Sequence, residues 1–192
     1  NLKIQPPRSL VIESLSLMGS IGSIAQNEKS DFDFWVCIFR NDFDDDQYEI
    51  FLKKLRDIEQ FFSQKKVEVH FFPVDIDKVK KNDFGSADDE SCGSAQAALL
   101  KDEYFRSSLH LFGKIPFWWV MPVSTEKFSL YDIWQDCKKK DPKIVENFIN
   151  IGDVGAASKD EYFGAALWQL VKSLHSPFKS FIKMSLLEKY IT

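Results

Sequence analysis

The segment from Ser14 to Phe39, SLSLMGSIGSIAQNEKSDFDFWVCIF, constrains the fold more than any other part of this chain. An apolar run ends at Gly19-Ser20, a short polar stretch follows, and a second apolar run opens with Asp31-Phe32-Asp33. Such runs, bounded by turn residues, read as strands, predicted here over Leu10–Met18 and Phe32–Phe39. Gly19-Ser20 is expected to open a short helix ending near Asn27. Residues two apart on a strand share a face, so Asp31 and Asp33 stand side by side, about 6–7 Å apart. Two carboxylates at a strand end are poor core material and good ligands for Mg²⁺, which prefers oxygen. The free N–H groups after Gly19 and the Ser20 hydroxyl suit an anionic phosphate. A phosphate cradle beside metal-binding carboxylates points to nucleotide chemistry.

Composition narrows the class. At 192 residues, 44% of them hydrophobic and with 18 Phe and 5 Trp, the chain can build one packed domain, or one domain and part of another. No run approaches 18 apolar residues, so no membrane span is expected. NLKIQPPRSL has no signal-peptide apolar region. The missing initiator Met and the uncapped SLLEKYIT end suggest an excerpt from a longer protein. A net charge of −4 argues against long nucleic acids as partners. Cys37, Cys92 and Cys137 are widely spaced and odd in number, which fits reduced thiols and a cytoplasmic location. His70, His110 and His175 are scattered, so no histidine metal centre is expected.

Farther along, the acidic run Asp42, Asp44, Asp45 and Asp46 reads as a helix N-terminus, where negative charge suits the dipole. Phe51, Leu55, Ile58 and Phe62 mark the buried stripe of that helix. Val67–Val74 is a third strand, with Glu68, His70 and Phe72 on one face. A loop over 80–93, a helix from Ser94 to Phe112 with Gly113 as its C′ residue, and an edge strand over Lys114–Met121 follow. Ser158-Lys-Asp-Glu161 is a capping box ahead of the apolar pattern Phe163, Leu167, Leu170, Val171 and Leu174, and Ser176-Pro177 restarts the helix. The fold class is therefore α/β (α+β): a small mixed sheet with packed helices over residues 1–157, then the start of a helical domain over 158–192.

The Gly-Ser and Asp-x-Asp spacing resembles the signature of the DNA polymerase β-like nucleotidyltransferases, which would supply a third carboxylate from a later strand, here Glu68. MGSIGSIAQNEKSDFDFWVC, VEVHFFPVD, DDESCGSAQAALLKDEYFRSSLHLFGK and DEYFGAALWQLVKSLHSPFKSFIKMSLLE resemble, in order, the catalytic region of bacterial class I adenylate cyclases. The resemblance implies conversion of ATP to cyclic AMP and pyrophosphate, a phosphorus–oxygen lyase reaction. It implies two Mg²⁺ or Mn²⁺ ions on Asp31, Asp33 and Glu68, and a C-terminal regulatory region beyond this chain. Gly19, Ser20 and Ser23 would then hold the triphosphate.

Lys172, Ser176, Lys179 and Lys183 follow i, i+4, i+7, i+11 and form one basic face if Pro177 only kinks the helix. That face reads as triphosphate contacts or as a solvated surface. Trp35 shares the face of Asp33 and reads as a base-stacking ring or as core. Ser94 reads as a phosphate contact or a plain N-cap. Arg8 lies where related cyclases have a basic residue. The rivals to a cyclase are a transferase passing the nucleotidyl group to a separate acceptor, and a non-catalytic nucleotide-binding regulatory module of the same fold.

Overall fold

A computed structural model describes residues 11–28, 30–84, 97–121 and 129–191. Strands β1 (Ser14–Met18), β2 (Phe32–Ile38), β3 (Val69–Asp75) and β4 (Leu109–Gly113) form one mixed sheet in the order β3-β2-β1-β4. β1 runs antiparallel to β2 and β4, while β2 and β3 are parallel. Helices α1 (Asp45–Ser63), α2 (Ile76–Val79) and α3 (Ala97–Ser107) surround the sheet. A two-stranded parallel piece, β5 (Ile115–Pro116) with β6 (Phe148–Ile149), sits near α4 (Leu130–Lys140) and α5 (Ile144–Asn147). The chain finishes with α6 (Lys159–Ser173) and α7 (Pro177–Ile191), packed against each other. The expected mixed sheet with packed helices, then an all-helical stretch, is what forms.

Strand alternation divides the core in two. Val36 and Ile38 point to one face, where Phe43, Phe51 and Leu55 cover them. The acidic run does open α1: Asp44 is its N-cap in a closed capping box with Gln47, and Asp45 and Asp46 lie in the first turn. Ile58, expected in the buried stripe, is instead 41% exposed. The other face carries rows that cross three strands: Ser14–Cys37–Val74, Ser16–Trp35–Phe72 and Met18–Asp33–His70. The first two rows are filled by the core that Tyr104 and Phe105 of α3 complete. Ser16 is small enough to let Tyr104 approach, and its hydroxyl lies 3.2 Å from the Tyr104 hydroxyl. The third row lies where the apolar filling ends.

Three expected elements fold differently. No helix follows Gly19-Ser20; residues 19–25 make successive turns. Gly19 and Gly22 have φ of +91° and +76°, outside a right-handed helix. The helix expected to reach Phe112 stops at Ser107, and Leu109–Gly113 becomes β4, because the open edge of β1 offers a ladder that a helix would forgo. Past Pro116 the expected strand gives way to a 3₁₀ turn over Phe117–Val120. That turn lets Trp118 stack on Phe105 while the Trp119 indole donates to the Phe105 carbonyl at 2.7 Å. Alternation would send the two indoles to opposite sides.

Candidate active site

Asp31 and Asp33 stand at the N-terminal end of β2, on the face that also bears Trp35. On the next strand His70 is in register with Asp33. Glu68 precedes His70 on the same face, its carboxylate 3.3 Å from the His70 Nε2, and its backbone carbonyl accepts the Phe32 N–H at 2.9 Å. Asp31, Asp33, Trp35 and His70 floor a cleft of about 350 Å³, in the range of small-molecule sites, whereas Glu68 is not among its lining residues. Met18, Gly19, Asp31, Asp33, Trp35, His70 and Phe72 come from the sheet side. Facing them, α3 gives Leu99, Leu100 and Glu103, α6 gives Ala165, Trp168, Gln169 and Lys172, and α7 gives Lys183, Leu186 and Leu187.

Electrostatics mark Asp33. Its pKa is raised from 3.8 to about 6, chiefly by burial and next by the charge of Asp31; His70 opposes the rise, while Glu68 and Glu103 add to it. A carboxylate held against other carboxylates gains most from a cation. Gly19 leaves the room: a Cβ there would lie 3.2 Å from the Asp33 Oδ2. The oxygen donors of Asp31 and Asp33 fit a hard divalent cation. Among the described residues, no group of three His, Cys, Asp or Glu side chains is gathered closely enough to form a metal site unaided.

The other sequence candidates sort by position. Trp35 is 3% exposed, stacked on Tyr104 at 4.8 Å, so it is core with one edge on the cleft. The Ser20 hydroxyl donates to the Ser30 hydroxyl at 2.8 Å, and the Ser23 hydroxyl to the Ser20 carbonyl at 2.7 Å. Both therefore brace the turns after Gly19. Lys172 lies in the cleft wall, 5.0 Å from the Trp168 ring centroid, and Lys183 pairs with Glu103. α6 ends before Pro177 opens α7, so the four-residue basic face does not exist as one helical surface. Ser176 and Lys179 are outside the cleft lining. Ser94 and Arg8 fall outside the described residues.

Sequence reasoning passed over His70 as a site residue, and with it Glu103, Trp168 and Gln169. His70 was legible as the i+2 neighbour of Glu68, and Trp168 as the i−4 neighbour of Lys172. Glu103 had no signal beyond a charge on an otherwise ordinary helix.

The family model described as the adenylate cyclase NT domain matches residues 2–119, and that for the class-I adenylate cyclase second domain matches 157–192. The chain belongs to the class-I adenylate cyclases. It is 36% identical over 187 residues to the adenylate cyclase of Escherichia coli K12, covering 96% of this chain and 22% of that protein. It is 37% identical to the Proteus mirabilis adenylate cyclase and 38% to that of Yersinia pestis, each over 94% of this chain and 21% of the relative. The chain thus spans about a fifth of the length of these cyclases. No solved structure matches it. Among the described residues no helix is long and apolar enough to cross a membrane.

Proposed function

We propose that this chain is the nucleotidyltransferase-like catalytic part of a cytoplasmic adenylate cyclase, with residues 1–157 as the catalytic unit and 158–192 opening a helical one. It would convert ATP to 3′,5′-cyclic AMP and pyrophosphate. The observation that carries this reading is the Asp31–Asp33 strand end facing Lys172 and Lys183 across one cleft. Such a cleft offers cation-binding carboxylates on one wall and triphosphate-binding amines on the other.

Asp31 and Asp33, with Glu68 beside them, would hold Mg²⁺ or Mn²⁺, which when bound would neutralise phosphate charge and acidify the ribose 3′-hydroxyl. Lys172 and Lys183 would hold the triphosphate oxygens, the Lys183 amine exchanging Glu103 for phosphate. Gly19, without a side chain, would let the backbone approach the nucleotide. Leu99, Leu100 and Leu187 would keep water from the reacting atoms. The 3′-hydroxyl would give up its proton to solvent as its oxygen bonds to the α-phosphorus, the bond from that phosphorus to the bridging oxygen breaks, and pyrophosphate leaves with the electron pair. A C-terminal regulatory region would follow in the longer protein.

Incubation with ATP and Mg²⁺ or Mn²⁺, with products identified by mass spectrometry, tests the reading. Cyclic AMP and pyrophosphate in equal amounts are expected without any second substrate. Asp31→Asn and Asp33→Asn should each cut kcat about a thousandfold while the circular dichroism stays native. Turnover that appears only with an added acceptor would make the protein a transferase instead.

A further inference from the structure

Helix α6 opens with a capping-box sequence, in which the N3 glutamate ordinarily reaches back to its own N-cap amide. Ser158 does its half, accepting the Glu161 N–H at 3.1 Å. The Glu161 carboxylate goes elsewhere. Its Oε2 accepts the N–H of Ala98 at 3.1 Å and of Leu99 at 3.3 Å, both in the first turn of α3. By contrast, the Asp44–Gln47 box of α1 closes on itself in both directions. Ala98 and Leu99 are only 5% and 6% exposed, so their amides depend on a protein acceptor. A carboxylate at a helix N-terminus is also favoured by the dipole.

Glu161 lies on one stripe of α6 with Ala165, Trp168 and Lys172, at i, i+4, i+7 and i+11, and those three line the cleft. Leu99, whose amide it holds, lines the same cleft, and Glu103 follows one turn later. One seam between α3 and α6 is therefore pinned at its start by Glu161 and opens into the cleft farther along. Because helices are stiff rods, a pin at one end sets the axial register of the rest. We propose that Glu161 is a positioning residue. By capping α3 from α6, it fixes where Trp168 and Lys172 stand relative to the Asp31–Asp33 strand end. The kinetic consequence rests on the cyclase reading; the register itself does not.

The test compares Glu161→Ala, Glu161→Gln and Ser158→Ala in the whole 192-residue chain. It reads steady-state kinetics with ATP, and amide hydrogen exchange over residues 165–172 without nucleotide. Losing a cap of ordinary strength should raise the KM for ATP about five- to tenfold in Glu161→Ala, with kcat within about twofold. Exchange over 165–172 should quicken about as much. Glu161→Gln, which keeps an acceptor oxygen at the same reach, should restore both. Ser158→Ala, which weakens α6 alone, should lower Tm comparably while leaving KM unchanged. Unchanged KM and exchange in Glu161→Ala would overturn the proposal, as would an equal rise in KM in Ser158→Ala. Should Glu161→Ala fail to fold, Glu161→Asp, charged but one methylene short, takes its place with the same expectations. If the unsubstituted chain turns over no ATP, the cyclase reading fails, and exchange alone then decides the role of Glu161.

Discussion

Asp33 shows what burial among other carboxylates costs one side chain. Folded, it holds its proton up to about pH 6, whereas its ordinary value is 3.8. Between those limits the folded state binds more protons than the unfolded, so stability falls as pH rises through the window. Above it the full penalty of a charged, crowded Asp33 is present. Asp33→Asn should therefore stabilise the metal-free chain at pH 7.5. Asp33 is only part-buried, and solvent screening reduces the gain to about 1–2 kcal/mol, or a Tm rise of about 2–6 °C. The gain should shrink as pH drops from 6 towards 4. Thermal melts at pH 7.5 and pH 4.5 check this; a variant less stable than the parent at pH 7.5 would mean that Asp33 is held by a favourable partner.

At the scale of elements, local pattern and tertiary demand agree at the helix starts and part company at the sheet edge. Ser158 was a readable cap, and the acidic run holding Asp44 a readable helix start, because a capping acceptor sits within three residues of the amide it serves. Nothing local marks Leu109–Gly113 as a strand, since its partner is β1, far back in the chain. Gly113 does have the positive φ (+85°) that its expected C′ role would require. Its reason is different: a Cβ there would lie 2.3 Å from the Glu13 carbonyl oxygen, where β4 meets the start of β1. Gly113→Ala should thus cost at least about 2 kcal/mol, between a strained φ and a backbone clash. Equilibrium urea unfolding measures it; a loss below 0.5 kcal/mol, within the range of ordinary surface changes, would show that the edge can shift freely.

For the whole molecule, the cleft exists only because α6 and α7 fold over the carboxylate end of the sheet. The apolar residues that identified α6 in the sequence, Phe163, Leu167, Leu170, Val171 and Leu174, are all exposed by 47% or more. The stripe that meets the sheet side is instead Glu161, Ala165, Trp168 and Lys172, mostly polar or small. Lysines that share a spacing rule consequently separate: Lys183 faces the cleft and Lys179 does not. Lys183→Ala should raise the KM for ATP about tenfold or more, the worth of a charge-assisted contact to phosphate, and Lys179→Ala less than twofold. Equal effects in steady-state kinetics would place the triphosphate outside this cleft. What the sequence determined by itself was the set of strands and helices whose signals are local, the aspartate pair on one strand face, and the likeness to class-I cyclases. Periodicity, caps and neighbouring side chains all act within a few residues. Only the tertiary structure decided that His70 stands beside Asp33, that Glu103 and Lys183 meet, and that Glu161 caps a foreign helix. Each of those depends on pairing between distant segments, where the gain from burial and hydrogen bonding outweighs the local preferences that a sequence displays.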